Sequence, residues 1–558
     1  MQQMKFKELF NEFYKKFSSN KILGIPYIWL VLFIFIFSFL IQLIYVLSPY
    51  VPWWDEAIYI GMAKFISSFG ELGHWEYFRP PLWPIFLGVF LKLGLTIKGL
   101  NVIQVFVSMS ILFLTFLFSE KIKKNTGLLA VLILSTTFLY FYFVHILLSE
   151  YLSLMFSLAA LYLFANGKYF FSGISASLSF LTRFPEGLLI VVLGLAIFAE
   201  FIKPVNIKSV NLAEALKIRL LKVIKNGFMV LIGFLVPLIP YFIINHIYYG
   251  GYLNPIIFGA EVAEMSAPFY SESLLFYFKT ILSNNFLYIF SIIFFIMFFK
   301  KKLWDNSKNT LLFLAILLFF AYFTHNPHKE ARYIMVALPY LAIAASYGIH
   351  TSIDSISSMK SLKKYFNMSE IFCQFVNVGR KANQVLTNKK FLSTKNSQSD
   401  SNRFIRFCRS ITGSSLLKVA DVIYAVIVII LVLVGISFML TIPKYQQGFT
   451  KTQEEFYTFF ADDTNNILLA ANPIYLLFTN KPITFLANWE NAISLLNNAK
   501  NNNADYVAFN TCQYQCLDEE CEKFKIKFMD ILDIYPLIFN KTEAGCDYLI
   551  YSLPFAEG

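Results

Sequence analysis

Apolar runs of about 17–22 residues recur from Tyr27 to Leu440, and most are long enough to cross a hydrocarbon core of roughly 30 Å as one helix. Such spacing constrains the fold more than any other feature, because in lipid every backbone polar group must be paired within the segment. Only 15% of the 558 residues are charged, against roughly 25% in soluble domains, which excludes an ordinary soluble enzyme. The expected class is an all-α polytopic membrane protein of about 11–13 transmembrane helices with a small C-terminal extracytoplasmic α/β domain. The first run, Tyr27 to Leu47, follows Lys5, Lys7, Lys15, Lys16 and Lys21 but lacks a small-residue cleavage site, so it reads as a retained anchor.

The net charge of +12 would suggest nucleic acid if it were spread evenly. It is not. Residues 351–418 hold 12 Lys+Arg against 3 Asp+Glu, whereas residues 441–558 hold 8 against 15. Lys and Arg concentrate in cytoplasmic loops, so the first segment is expected inside and the second outside, and nucleic-acid binding drops out. The other inside loops are then Lys121–Lys124, Lys168, 203–225 and 300–308. Spans are expected near 27–47, 101–119, 126–145, 149–165, 169–182, 185–201, 227–248, 280–299, 309–323, 333–349 and 419–440. Residues 80–97 are apolar too, yet a crossing there would invert the basic loops. Pro80, Pro81 and Pro84 instead suggest an interfacial or re-entrant helix. The division is therefore a transmembrane module over 1–350 with an external loop at 50–80, a basic loop at 351–418, a last helix at 419–440 and an external domain at 441–558.

In that domain, strand-like runs at Ile467–Ala471, Ile483–Leu486, Tyr506–Asn510 and Tyr548–Leu553 alternate with a helical pattern at Glu490–Lys500. Four of the six cysteines (Cys512, Cys516, Cys521, Cys546) lie there, favouring one or two disulfides over a zinc site, for which no paired C-x-x-C exists. Asn540-Lys541-Thr542 is a formal sequon.

On this topology four charged clusters fall on the external side: the first loop with Asp55-Glu56 and His74 to Arg79, Glu150 in the turn after His145, Arg183 and Glu186 flanking Pro185 at the next turn, and His325 to Arg332. Ionisable residues at membrane depth or at buried helix ends are expensive and usually pair or work. A carboxylate at the bilayer surface can take a proton from an attacking hydroxyl, while Arg and Lys neutralise a phosphate leaving from a lipid carrier. Against this stand simpler readings: a solvated acidic pair, snorkelling Lys329 and Arg332, Glu150 at a helix N-terminus, and Trp53, Trp54 and Trp75 as an interfacial belt.

Asp55-Glu56 followed by Arg79-Pro80-Pro81-Leu82-x-Pro84 resembles the dolichyl-phosphate-mannose protein mannosyltransferases and the lipid A aminoarabinose transferases of the GT-C glycosyltransferase superfamily. Trp75-Glu76-Tyr77 and His328-Lys329-Glu330-Ala331-Arg332-Tyr333 are similar to the W-E-W/Y and H-K-E-x-R-F patterns of the lipid-linked-oligosaccharide and GPI-anchor mannosyltransferases, with Tyr333 in place of Phe. Leu181-Thr182-Arg183 resembles a helix-end pattern common to these groups. The likeness covers roughly residues 27–350.

What the resemblance implies is an inverting transfer of a sugar, mannose being the favoured one, from a polyprenyl- or dolichyl-phosphate carrier to a glycan, lipid or protein acceptor. The site would face the extracytoplasmic side of the cell membrane, or of the ER membrane in a eukaryote. Asp55 would be the general base and Glu56 would position the acceptor or the base. Arg79, Arg183, Lys329 and Arg332 are the implied phosphate ligands, with Glu76, His328 and Tyr333 beside the substrate. Glu150 matches an acidic position that in some relatives shares a divalent metal with the first-loop acid, here Asp55. No cofactor is implied as obligatory, and Mg, Mn or Zn would be the metal. Trp53-Trp54-Asp55 also resembles the start of the W-W-D-Y-G motif of oligosaccharyltransferases, but that motif belongs to a soluble C-terminal domain and Glu56-Ala57 stand here instead of Tyr-Gly. The competing readings are a transporter or flippase for a lipid-linked saccharide and a non-catalytic saccharide-binding subunit. No P-loop or dinucleotide fingerprint is present, which disfavours nucleotide-sugar use.

Overall fold

In the computed structural model, the described residues are 21–22, 25–202, 212–265, 267–358, 426–437, 448–461, 467–470, 472–479, 483–485, 499, 501, 503–512 and 519–553. The basic loop beyond 358 and nearly all of the Glu490–Lys500 pattern lie outside them.

Six helices are long and apolar enough to cross a membrane: Tyr27–Val46, Ile97–Ile122, Phe184–Ile202, Leu216–Tyr249, Ser307–His325 and Ala331–Ser355. Two bent pairs raise the number to eight among the described residues, short of the eleven expected. The shortfall has a physical cause in helix length. Tyr169–Thr182 has 14 residues, too few at about 1.5 Å per residue to cover a full hydrocarbon core, and Ser149–Ala165 with 17 lies at the lower limit. The last expected span is described only over Val426–Ser437. Over the 80–97 stretch the helix is Leu82–Lys92, 11 residues, again too short to cross.

The second bent pair supplies partners to the first. Gly127–Ser135 and Phe138–His145 meet at 67°, and Phe276–Asn284 and Phe286–Lys300 at 116°. At the first bend the Thr136 and Thr137 hydroxyls donate back to Leu132 O (2.6 Å) and Ile133 O (2.7 Å). At the second, Asn285 Nδ2 donates to Ile133 O at 3.1 Å, and Asn284 Oδ1 accepts from Leu139 N at 2.7 Å. Backbone groups freed by the first break thus find side-chain partners at the second, the condition for irregular backbone among packed membrane helices.

The C-terminal region forms a five-stranded sheet in the order Ile483–Phe485, Ile467–Ala470, Ala504–Asn510, Cys546–Ser552, Leu537–Glu543. The first three strands are parallel and the last two antiparallel to their neighbours. Phe528 of the helix Glu519–Leu532 packs on Phe509 on one face, and Phe456 of the helix Lys451–Thr458 packs on Tyr548 on the other. Sequence patterning missed the strand Leu537–Glu543, whose alternation is broken by Asn540-Lys541-Thr542, and the strongly charged helix Glu519–Leu532. Cys512 and Cys546 form one disulfide, joining the ends of two adjacent strands.

Candidate functional site

Asp55 and Glu56 both sit in the first turn of the helix Trp54–Ser67, where carboxylates meet the positive end of the helix dipole. They turn to opposite tasks. Glu56 is fully buried and accepts from the Tyr50 hydroxyl at 2.6 Å, from Leu147 N at 3.0 Å and from Trp53 N at 3.3 Å. Burial pushes its carboxyl up to about 7 against the pull of those bonds. Glu56, expected to position the acceptor or the base, locks the loop that precedes the helix. Neighbouring positions on a helix point about 100° apart, so two adjacent acids seldom share one site.

Asp55 faces the other clusters. Its two oxygens are held by Arg79 Nη1 at 2.9 Å and Arg332 Nη1 at 2.6 Å. Burial favours the neutral acid, but the guanidiniums of Arg332 and Arg79 outweigh it and hold the carboxyl well below the usual range. Arg79 reaches Asp55 because residues 70–79 fold back along their own helix. His74 N donates to Gly61 O at 3.2 Å, and a Cβ at Gly73 (φ 77°) would lie 2.2 Å from that same oxygen, so only glycine closes this turn. Arg79 then lies over the ring of Tyr59, one turn beyond Asp55, and pairs with Glu76 at 2.5 Å.

Arg332 enters from the 3-10 turn Ala331–Ala337 and binds Glu330 Oε1 at 2.8 Å. Glu330, inside the motif but not singled out from sequence, is held at about 2: its burial is outweighed by the His328 bond and Arg332. His328 Nε2 lies 3.0 Å from Glu330 and 3.2 Å from the Tyr333 hydroxyl, and its ring stacks on Tyr270 at 4.4 Å. Lys329 turns away, donating to Glu272 O at 2.9 Å, so it does not join the arginines.

Glu150 and Arg183 come from consecutive helices, Ser149–Ala165 and the end of Tyr169–Thr182. Glu150 Oε1 lies 3.8 Å from both Arg183 Nη2 and Arg332 Nε, too far for direct hydrogen bonds. Arg183 Nη1 and Arg332 Nε are buried donors with no acceptor. Tyr333 lies between the two guanidiniums, 4.9 and 5.5 Å from its ring centre. Two arginines that both approach Glu150, one of them also holding Asp55, thus keep an unfilled N–H each, and such donors suit an anion. A divalent ion fits less well. Both Asp55 oxygens are taken by guanidiniums, Arg332 stands between Asp55 and Glu150, and no three His, Cys, Asp or Glu side chains are grouped to hold a metal among the described residues.

Glu186 is fully buried beside Arg183. The expected aromatic belt is partly built in: Trp53 lies under Arg332, and Trp75 Nε1 donates to the Tyr249 hydroxyl at 3.0 Å.

No protein-family model and no curated protein matches the sequence. Solved structures do. ArnT from Cupriavidus metallidurans bound to undecaprenyl phosphate aligns over 94% of this chain and 98% of its own at a TM-score of 0.57 and 11% identity. The chain has the GT-C fold. An Archaeoglobus fulgidus oligosaccharyltransferase, tethered to an acceptor peptide, aligns over 93% of this chain and 73% of its own at a TM-score of 0.50 and 11% identity. The GT-C likeness runs on through the C-terminal domain, beyond the 27–350 stretch where the motifs lie.

Proposed function

We propose that the chain is an inverting glycosyltransferase that moves a sugar from a polyprenyl- or dolichyl-phosphate carrier to a glycan, glycolipid or protein acceptor. The observation that carries this reading is the carboxylate of Asp55 clamped by two arginines beside unfilled guanidinium donors. The solved ArnT with undecaprenyl phosphate supports the lipid carrier through the shared fold. Mannose rests on family likeness alone.

In this mechanism the acceptor hydroxyl gives its proton to Asp55 as its oxygen attacks the anomeric carbon. The bond from that carbon to the phosphate oxygen breaks, and polyprenyl phosphate leaves with the electron pair. Attack opposite the leaving group inverts the anomeric centre. Arg332, Arg79 and Arg183 meet the charge of the phosphate. Two guanidiniums make Asp55 a weak base at rest, and a donor phosphate drawing them away strengthens it. Donor binding would then activate the base. No step needs a metal, so activity should survive chelation.

The site is assigned to the extracytoplasmic face. Arg332 and the Lys123–Asp354 pair lie at opposite ends of the span Ala331–Ser355, 22 residues apart or roughly 33 Å along a helix, and the basic cluster Lys121–Lys124 belongs to the far end. Purified protein in lipid, given labelled polyprenyl-phosphate sugars and a membrane-glycan extract, should release polyprenyl phosphate from one donor class. Lack of release from every donor by folded protein would favour a transporter or a binding subunit.

A further inference from the structure

Beside the clamp lies a second feature that donor-phosphate chemistry does not use. Tyr77, Tyr249, Asn254, Ile257, Phe258 and Glu261 line an open cavity of about 430 Å³, within the ordinary size range of small-molecule sites. Its wall is an aromatic stack, with Tyr77 between Tyr249 (ring centres 5.0 Å, planes 28° apart) and Phe258 (5.4 Å, 17°). Trp75 is tied to the stack through its bond to the Tyr249 hydroxyl.

The cavity is built onto the machinery around Asp55. Tyr77 lies between Glu76 and Arg79 in sequence. The helix Asn254–Met265, which carries Phe258 and Glu261, approaches the Phe78 backbone so closely that a Cβ at Gly259 would lie 2.9 Å from Phe78 O. Further along the same helix, Ala263 O lies 3.4 Å from His328 Nδ1. One helix therefore touches both loops whose arginines hold Asp55.

We propose that this cavity is the acceptor subsite and that it takes a pyranose, which makes the acceptor a glycan or glycolipid rather than a peptide. The Glu261 carboxylate would repel the donor phosphate, whereas carboxylate and amide groups accept and donate to ring hydroxyls. Flat aromatic faces match the apolar C–H face of a sugar ring. Charge thus sorts the two substrates, with the anionic donor at the arginines and a neutral or amine-bearing sugar at Glu261. The assignment as acceptor subsite rests on the glycosyltransferase reading, but saccharide binding can be measured without turnover.

The test is intrinsic fluorescence of Trp75 in the full-length protein in lipid nanodiscs, titrated with methyl α-mannopyranoside, methyl β-glucopyranoside, methyl β-glucosaminide, an Asn-x-Thr peptide and inorganic phosphate, with Trp75→Phe to assign the signal. At least one glycoside should bind. Its affinity should fall at least tenfold in Tyr77→Leu and Glu261→Gln, and stay within twofold in Tyr77→Phe. Retention in Tyr77→Phe shows that loss in Tyr77→Leu is not misfolding. Binding of phosphate or peptide but no glycoside, or glycoside binding indifferent to Glu261→Gln and Tyr77→Leu, overturns the proposal. If glycosides bind as expected while no donor is ever turned over, saccharide recognition stands and the glycosyltransferase reading fails instead.

Discussion

Asp55 shows how far residue types alone could be read. The sequence singled out Asp55 because an acid, an R-P-P-L loop and an H-K-E-x-R-Y loop are rarely combined by chance, but its clamping by Arg79 and Arg332 was not legible there. Nor was the partition of work between Asp55 and Glu56, since it depends on which way each side chain leaves the helix. Lys329 likewise donates to Glu272 O, because a cation in a motif need not point where its neighbours do. Two expectations belong at this scale. Glu56→Ala should lower the melting temperature and cost about 1–3 kcal/mol by leaving the Tyr50 hydroxyl and the Leu147 N–H without an acceptor, with Glu56→Gln milder. Near-normal melting of Glu56→Ala would remove its structural role. The second concerns pH. Glu330, held at about 2 in the fold, contributes stability that is present above the ordinary carboxylate range and is lost as pH falls through that range toward 2, and Asp55 acts with the same sign. In catalysis the acidic limb of kcat should lie at higher pH than that of kcat/KM, because bound donor phosphate relaxes the clamp that depresses Asp55 in the free enzyme. Coincident limbs would argue against that activation.

Among the elements, the helix Trp54–Ser67 does most to organise the site. Asp55 faces the arginines at its start, Gly61 O receives the returning loop at its middle, and its far side carries the C-terminal domain. The helix itself is too short and too mixed for a periodicity argument to separate it from a loop. Its return turn could not be read either, because nothing in Gly73-His74 alone says which carbonyl it will meet. Gly73→Ala combines strain at φ 77° with a clash at Gly61 O, and should displace Arg79 and lower activity at least tenfold while the rest of the bundle still folds. Wild-type turnover would show that this turn does not set the clamp. For the same reason a topology probe belongs at exposed Glu71 rather than at Gly73. A cysteine there should react with an impermeant external reagent, and one at Asn396 should not.

At the scale of the whole molecule, apolar run length revealed the class and most helices, but not which of them cross, since breaks at Thr136-Thr137 and Asn285 are set by contacts between distant segments. The C-terminal domain is not a loose appendage. Leu476 lies against Gly61, where a Cβ would come within 2.5 Å of its side chain, and Lys64 Nζ donates to Thr479 O at 3.0 Å. Widening this contact with Gly61→Val should impair transfer without touching a substrate group, whereas full activity would mean that docking is dispensable. Both effects remain secondary to the chemistry at Asp55. The most direct measurement is the rate of polyprenyl-phosphate release by Asp55→Asn beside the wild type, with melting and membrane yield as controls for folding. A general base supplies about 10²–10⁴-fold, so release should fall at least a hundredfold with folding intact. Release at the wild-type rate would contradict Asp55 as the base and the mechanism built on it.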